Sequence, residues 1–495
     1  MSIKLQYTEE GIVKAIRGCI VIVTGFQNCI NGQLIRFGFG TLGLVVGFNE
    51  FETQVLIIKE AEKIRTGQKA IASIEPFYTP AGKSFIGRIV NPLAEPLDGL
   101  GPITPEIMAP IFPDAPMILD RQPLSKTLET GIKVLDAMIP IGRGQRELIL
   151  GDKMTGKTTF VTDTIINQRN TGVICIYCGI GKARASLAKV VQLFKDHKCF
   201  DYSMIVSASA SSTPGQQYLA PYVACSLGEY FMQRGQDVFI GFDDFTKHAW
   251  CYREISLLLG RPPGRDSYPG DIFYLHSKMI ERSCYLSKEK GGGSMTFFPI
   301  VDILEGDLTA FVPSNLVSMT DGQILLSAQI FGEGQKPALD LGLSVSRVGS
   351  KVQWSAIKTL SGPLRLEYLQ YRELLRLSKL KTSGQSDEMK QKLKRGLILT
   401  HILRQDKDAP VCLEMQVVIF YAFNRKYMND LTIDQVNLFQ AECLAYTQKN
   451  KPVLMTLLRE KKKLDTEIEK LLDEVITGLI SDIRKRVKAA GQEES

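Results

Sequence analysis

Short apolar runs broken by glycine open the chain. Cys19-Ile20-Val21-Ile22-Val23, Gly43-Leu44-Val45-Val46-Gly47 and Thr53-Gln54-Val55-Leu56-Ile57-Ile58 are too short for helices and lie close together, which predicts a small β-barrel. Loops and turns dominate from about 73 to 150, as in Asn91-Pro92-Leu93-Ala94-Glu95-Pro96-Leu97-Asp98-Gly99. From 151 to about 354, apolar strands alternate with segments of helical periodicity. Val173 to Tyr177, Met204 to Ser207, Val238 to Phe242 and Phe297 to Ile300 are the candidate strands, and the rhythm predicts a mostly parallel sheet with helices on both faces. Beyond about 355 the strand signals fade. Leu464, Ile468, Leu471, Leu472, Val475, Ile476, Leu479 and Ile483 recur at helical spacing with charges between them, the pattern of a helical bundle. The expected fold is multidomain α/β, with a barrel over 1–72, a strand-and-helix domain over 73–354 and a bundle over 355–495.

The middle domain begins with chemistry. Gly151-Asp152-Lys153-Met154-Thr155-Gly156-Lys157-Thr158 fits G-x-x-x-x-G-K-[ST], the phosphate-binding P-loop. Glu147-Leu148-Ile149-Leu150 before it reads as a buried strand, and Thr159 to Ile166 after it carries apolar residues at helical spacing. In that context the loop N–H groups and the helix N-terminus converge on one point, where an anion belongs. Lys157 would reach the β- and γ-phosphates of ATP, or the β-phosphate of ADP, and the Thr158 hydroxyl would hold Mg²⁺. The domain is expected to be of the RecA-like kind.

Bulk composition narrows the alternatives only modestly. At 495 residues the chain exceeds a single core. There is no apolar run of membrane-spanning length, so no direct membrane insertion is expected. The opening Met1-Ser2-Ile3-Lys4-Leu5-Gln6 lacks an apolar signal core. The net charge of +7 is spread along the chain and does not indicate a nucleic-acid partner. Cys175-Ile176-Tyr177-Cys178 spells C-x-x-C but lies in a strand-like run, where residues three apart face opposite ways. The ten cysteines read as reduced, mostly buried thiols.

A P-loop needs a second carboxylate for its metal, at the end of a neighbouring apolar strand. Val238-Phe239-Ile240-Gly241-Phe242-Asp243-Asp244 supplies one. Asp243 is the choice for the Mg²⁺ shell and Asp244 the substitute, with helix capping as the other use for such a pair. Hydrolysis also needs a base or water-orienting group. In hexameric P-loop ATPases it ends the strand after the P-loop helix, which here places Lys182 in that role. A charged lysine cannot take a proton from water, so the site is expected to bind nucleotide and hydrolyse it poorly.

Several further stretches resemble the α subunit of F-type ATP synthases. They are Pro140-Ile141-Gly142-Arg143-Gly144-Gln145-Arg146-Glu147, Gln217-Tyr218-Leu219-Ala220-Pro221-Tyr222, Ser256-Leu257-Leu258-Leu259 with Arg261-Pro262-Pro263-Gly264-Arg265, and Tyr268-Pro269-Gly270-Asp271-Ile272-Phe273-Tyr274-Leu275-His276-Ser277. The most specific is Gly342-Leu343-Ser344-Val345-Ser346-Arg347-Val348-Gly349-Ser350, and the likeness runs from about Glu10 to about Ile480. The resemblance implies a barrel, a nucleotide-binding domain and a helical bundle. It implies three such chains alternating with three catalytic β subunits around a γ rotor shaft, joined through other subunits to a membrane ion channel for protons or sodium. It implies Mg-ATP held without turnover, and Arg347 reaching into the neighbouring β site as an arginine finger, a role for which a planar guanidinium suits. The head of such a complex would lie peripherally on the cytoplasmic face of a bacterial inner or plasma membrane, in preference to an organelle inner membrane.

The chain departs from that family's pattern in places. Met154 and Lys182 stand where glutamines are usual, the adenine pocket's Arg-Pro appears as Lys336-Pro337, and two pocket glutamines appear as Gln405 and Lys407. Phosphate and metal groups are intact while base and ribose contacts are altered. The N-terminus is short by roughly one helix, and the alternating Met1, Ile3, Leu5 and Tyr7 suggest an edge strand beside the first barrel strand instead of a stalk-binding arm. Two rivals stay open at this stage. One is a catalytic hexameric ATPase of the export or helicase kind, which would need a carboxylate at Lys182. The other is an α-like subunit of a divergent rotary machine not used for ATP synthesis.

Overall fold

The computed structural model describes residues 8–60, 64–378 and 387–493. The chain forms two compact units. The first comprises Met1–Pro123, Arg143–Lys153 and Gln168–Asp321, and the second Leu124–Gly142, Met154–Asn167 and Gly322–Ser495.

The first unit opens with the barrel. Its strands are β1 (Thr8–Arg17), β2 (Ile20–Thr24), β3 (Gln33–Phe37), β4 (Leu42–Phe48), β5 (Thr53–Lys59) and β6 (Lys69–Pro76). They close in the order β1-β2-β5-β4-β3-β6, so no edge is left unpaired. Val13, Val21, Val23, Ile35, Phe37, Val45, Val55, Ile57, Ala70 and Ala72 fill the interior. Gly43 sits where any β-carbon would collide with the Val55 side chain, which explains a glycine inside a strand. The three apolar runs lie on β2, β4 and β5 as expected, apart from Cys19, which sits in the turn before β2. The edge-strand expectation for the N-terminus rests on Met1, Ile3, Leu5 and Tyr7. Residues 1–7 lie outside the described residues, while Thr8 and Glu9 begin β1 itself and pair with Ser73 and Ala72 of β6.

The same unit carries six parallel strands in the order Glu147–Gly151, Ser294–Asp302, Asp237–Asp243, Val173–Lys182, Ser203–Ser209, Ile89–Val90. Nearly every residue of the central strands is buried. Such strands read as unbroken apolar runs because helices cover both faces of a parallel sheet. Pro214–Met232 is one of those helices; the Thr213 hydroxyl accepts from the Gln216 N–H and Pro214 sits in its first turn. Phe245–Leu258 is another, with Asp244 accepting from the Lys247 N–H. Cys175 and Cys178 lie on the strand Val173–Lys182, and burial pushes both thiols well up. Among the described residues no three His, Cys, Asp or Glu side chains gather to hold a metal.

The second unit is largely helical. Helices Ser355–Ser378, Asp387–Leu403, Leu413–Asn424, Ile433–Asn450, Pro452–Lys461 and Thr466–Glu493 form the bundle. Leu413–Asn424 is buried for eleven consecutive residues from Leu413 to Phe423, as befits its central place. Among its described side chains Thr466–Glu493 buries a stripe of Ile468, Leu472, Val475, Ile476, Leu479, Ile480 and Ile483. Buried Asp136 ties the bundle to the loop before it. It accepts from the Thr130 and Gly131 N–H groups, the Thr130 hydroxyl and the Gln416 amide at 2.7–2.9 Å. Among the described residues no helix is long and apolar enough to cross a membrane.

Candidate nucleotide-binding site

In a parallel sheet the strands end together, and ligands gather beyond their carboxyl ends. Here the register sets Gly151 beside Asp302, Phe242 beside Pro299 and Gly179 beside Asp243. The first P-loop residue, the Asp243-Asp244 pair and Lys182 therefore share one edge of the sheet in the first unit. Asp152 accepts from the Gly306 N–H at 3.2 Å, and the Asp302 N–H donates to the Thr246 hydroxyl at 2.8 Å.

Asp243 and Asp244 have divided their roles. Asp244 caps the helix that follows, with its Oδ1 2.8 Å from the Lys247 nitrogen. Burial, with Asp243 beside it, pushes its carboxyl up to about 7. Asp243 points the other way. It is 1% exposed, accepts the Tyr177 hydroxyl at 2.8 Å, and meets the Lys182 ammonium at 2.5 Å. Burial works to discharge Lys182, but Asp243, with Asp244 and Asp302 near, outweighs it and raises the lysine above its ordinary value. The residue in the base position is thus firmly a cation.

The second unit holds the rest of the P-loop. Met154, Thr155, Gly156 and Thr159 line a cavity of about 530 Å³ together with Lys336, Pro337, Gln405 and Lys407. The four positions suspected of altered base contacts thus do gather beside the loop. Gly156 has φ +99°, which glycine adopts freely, while Met154 takes φ +66° and leaves its side chain 93% exposed at the cavity. The helix Lys157–Asn167 begins with Lys157 buried and Thr158 half-buried. The Gln405 amide is spoken for within the protein. Its oxygen accepts from the Lys133 N–H at 3.0 Å, and its nitrogen donates to the Gly131 and Ala409 carbonyls at 2.8 and 2.9 Å. Lys336 places its ammonium 5.4 Å from the centre of the Phe331 ring. The Lys407 side chain is exposed, 3.9 Å from Asp408.

Sequence reasoning missed the remaining walls: Ile132, Phe160, Asp163, Phe331, Ala338 and Asp406. Asp163 was the detectable one, a carboxylate on the buried face of the helix after the P-loop. It accepts from the Asp408 N–H at 3.1 Å, and burial pushes it up to about 7. The donor types fit the expected metal, since the Thr158 hydroxyl and the Asp243 carboxylate are the oxygen ligands Mg²⁺ takes. What sets the site apart is the cation already seated on Asp243.

Arg347 lies elsewhere in the second unit. The short strand Val345–Ser346 pairs antiparallel with Gly322–Leu326. The Ser346 hydroxyl donates to the Pro140 carbonyl at 3.1 Å, the Ser344 hydroxyl accepts from the Leu325 N–H at 2.9 Å, and the Arg365 guanidinium donates to the Leu341 and Ser344 carbonyls. The segment is held on both sides, whereas Arg347 itself is exposed and forms no ion pair or hydrogen bond through its side chain among the described residues.

Residues 131–346 match the nucleotide-binding domain of the ATP synthase alpha/beta family, and residues 353–479 match the C-terminal domain of the ATP synthase alpha/beta chain. The ATP synthase subunit alpha of Clostridium botulinum strain Eklund 17B is 42% identical over 473 residues, covering 96% of this chain and 94% of that protein. Proteins of the same name from Aquifex aeolicus and Caldanaerobacter subterraneus are each 41% identical, over 94% and 99% of this chain and 93% and 96% of their own lengths. The chain belongs to the ATP synthase alpha/beta family, as an F-type alpha subunit.

Proposed function

We propose that this chain is a non-catalytic, regulatory subunit that holds ATP or ADP with Mg²⁺ without turning it over. Gly151, Asp152, Lys153, Met154, Thr155, Gly156, Lys157 and Thr158 cradle the phosphates. Lys336, Pro337, Gln405 and Lys407 bound the base side, where the committed Gln405 amide leaves shape and the apolar wall to do most of the recognition. Thr158 would give Mg²⁺ an oxygen directly and Asp243 would hold the ion through water, and Mg²⁺ when bound offsets phosphate charge. The observation that carries the reading is the charged Lys182, held on Asp243 in place of a base.

In this reading three copies alternate with three catalytic β subunits around the γ shaft. Each lends Arg347 to its neighbour, and the domains divide at 1–72, 73–354 and 355–495. The head works at the cytoplasmic face of a bacterial membrane, linked by other subunits to the ion channel.

Retention of nucleotide tests the proposal. Full-length chain incubated with Mg²⁺ and radiolabelled ATP, then gel-filtered, is expected to carry nucleotide recovered as ATP. Lys157→Ala should weaken retention by about tenfold to a hundredfold, the loss of one hydrogen bond to a charged group. Recovery of ADP and free phosphate alone, or equal retention by the variant, would contradict it.

A further inference from the structure

We infer that Lys182 takes over part of the charge neutralisation a divalent cation performs at a P-loop, so that this chain holds its nucleotide with little dependence on Mg²⁺. The inference rests on the nucleotide-binding reading above and concerns the metal arm of that same site.

The layout of the sheet edge supports it. Gly151 and Asp243 end strands on either side of Ser294–Asp302, two strand spacings across and two residues along, so they lie about 12 Å apart. Asp243, Asp244 and Asp302 all stand at this edge. Carboxylates alone would repel a polyphosphate and call for a divalent cation between them. Lys182 changes that balance. Its ammonium is 2.5 Å from Asp243 Oδ1, while Asp243 Oδ2 accepts the Tyr177 hydroxyl at 2.8 Å. Both oxygens of the carboxylate are engaged. The pair is also largely shielded from water, with the lysine side chain 22% exposed and the aspartate 1%.

Two consequences follow from that geometry. A water on a hydrated cation must compete with a charged donor for Asp243, which lowers what the metal gains by binding. The ammonium also brings positive charge to the phosphate edge whether or not a metal is present. A glutamine at this position would hydrogen-bond Asp243 but leave its charge standing.

The test is titration of the full-length chain with a fluorescent N-methylanthraniloyl ATP, in excess Mg²⁺ and in EDTA. Removing Mg²⁺ should raise the native Kd by less than about threefold. In Lys182→Gln it should raise it by about tenfold or more, the scale of one unit charge acting across a partly solvated site. Lys182→Arg should keep the native ratio, since it keeps the charge. A native ratio above about threefold, or equal ratios in native and Lys182→Gln protein, overturns the inference and leaves the nucleotide site standing. Absence of saturable binding by the native chain in both conditions overturns the nucleotide-binding reading and this inference with it.

Discussion

Replacing Arg347 by alanine is expected to reduce hydrolysis by the assembled complex by about 10³–10⁵-fold, the scale of an arginine finger, while nucleotide binding to this chain stays intact. The reason lies in how the residue is presented. Strand pairing with Gly322 and Gln323, the Ser344 and Ser346 hydroxyls and the Arg365 guanidinium fix the backbone from Leu341 to Gly349. Nothing among the described residues binds the Arg347 side chain, so its charge and donors stay available to a neighbour. Arg347→Lys should recover little, because an ammonium cannot reproduce the planar fork that grips developing phosphoryl charge. Multi-site turnover of reassembled complexes gives the answer, with radiolabelled nucleotide retained on the variant chain as the control. Near-normal turnover by the Arg347→Ala complex would make the residue structural.

Arg282→Met is expected to destabilise the first unit by about 3–5 kcal/mol, the usual cost of breaking a buried ion pair. Arg282 is 1% exposed. It grips both oxygens of Glu229 at 2.7 and 2.8 Å and donates to the Ile111 carbonyl and the Ser226 hydroxyl at 3.0 Å. Removing the guanidinium strands the Glu229 carboxylate and leaves that carbonyl short of its donor in the same low-dielectric space. Since a domain is stable by only about 5–15 kcal/mol, the variant should unfold at much lower denaturant. Adding Glu229→Gln should recover part of the loss, because the stranded charge is then gone. Urea midpoints of the two variants and the native chain decide it. A single variant within about 1 kcal/mol of native would show that the pair contributes little.

What the chain's spacing could reveal, and what it could not, follows one physical rule. The P-loop was legible because its residues act together while adjacent in sequence. The parallel strands were legible because burial on both faces leaves unbroken apolar runs such as Val173 to Tyr177. The bundle's last helix was legible from a stripe at helical period, of which Leu471 is left half-buried and Leu464, also half-buried, lies just before the helix. Pairings across the fold were not legible. Lys182 was readable as a cation in a base's position, but its seat on Asp243 depends on two strands lying side by side in register. The Arg282–Glu229 pair likewise joins two segments with no shared pattern. Gln405 looked like a pocket glutamine, and only the structure reveals that its amide is spent on Lys133, Gly131 and Ala409. Phe331 gave no signal at all, since an aromatic in a short helix is ordinarily core.

The central claim is that a cation stands where a catalytic P-loop subunit needs a base, so this chain holds ATP and does not turn it over. Steady-state hydrolysis of Mg-ATP by the purified full-length chain, free of any partner subunit, tests it most directly. The account predicts turnover indistinguishable from the rate without protein; hydrolysis at roughly 1 per second or faster, ordinary for an ATPase, would contradict it.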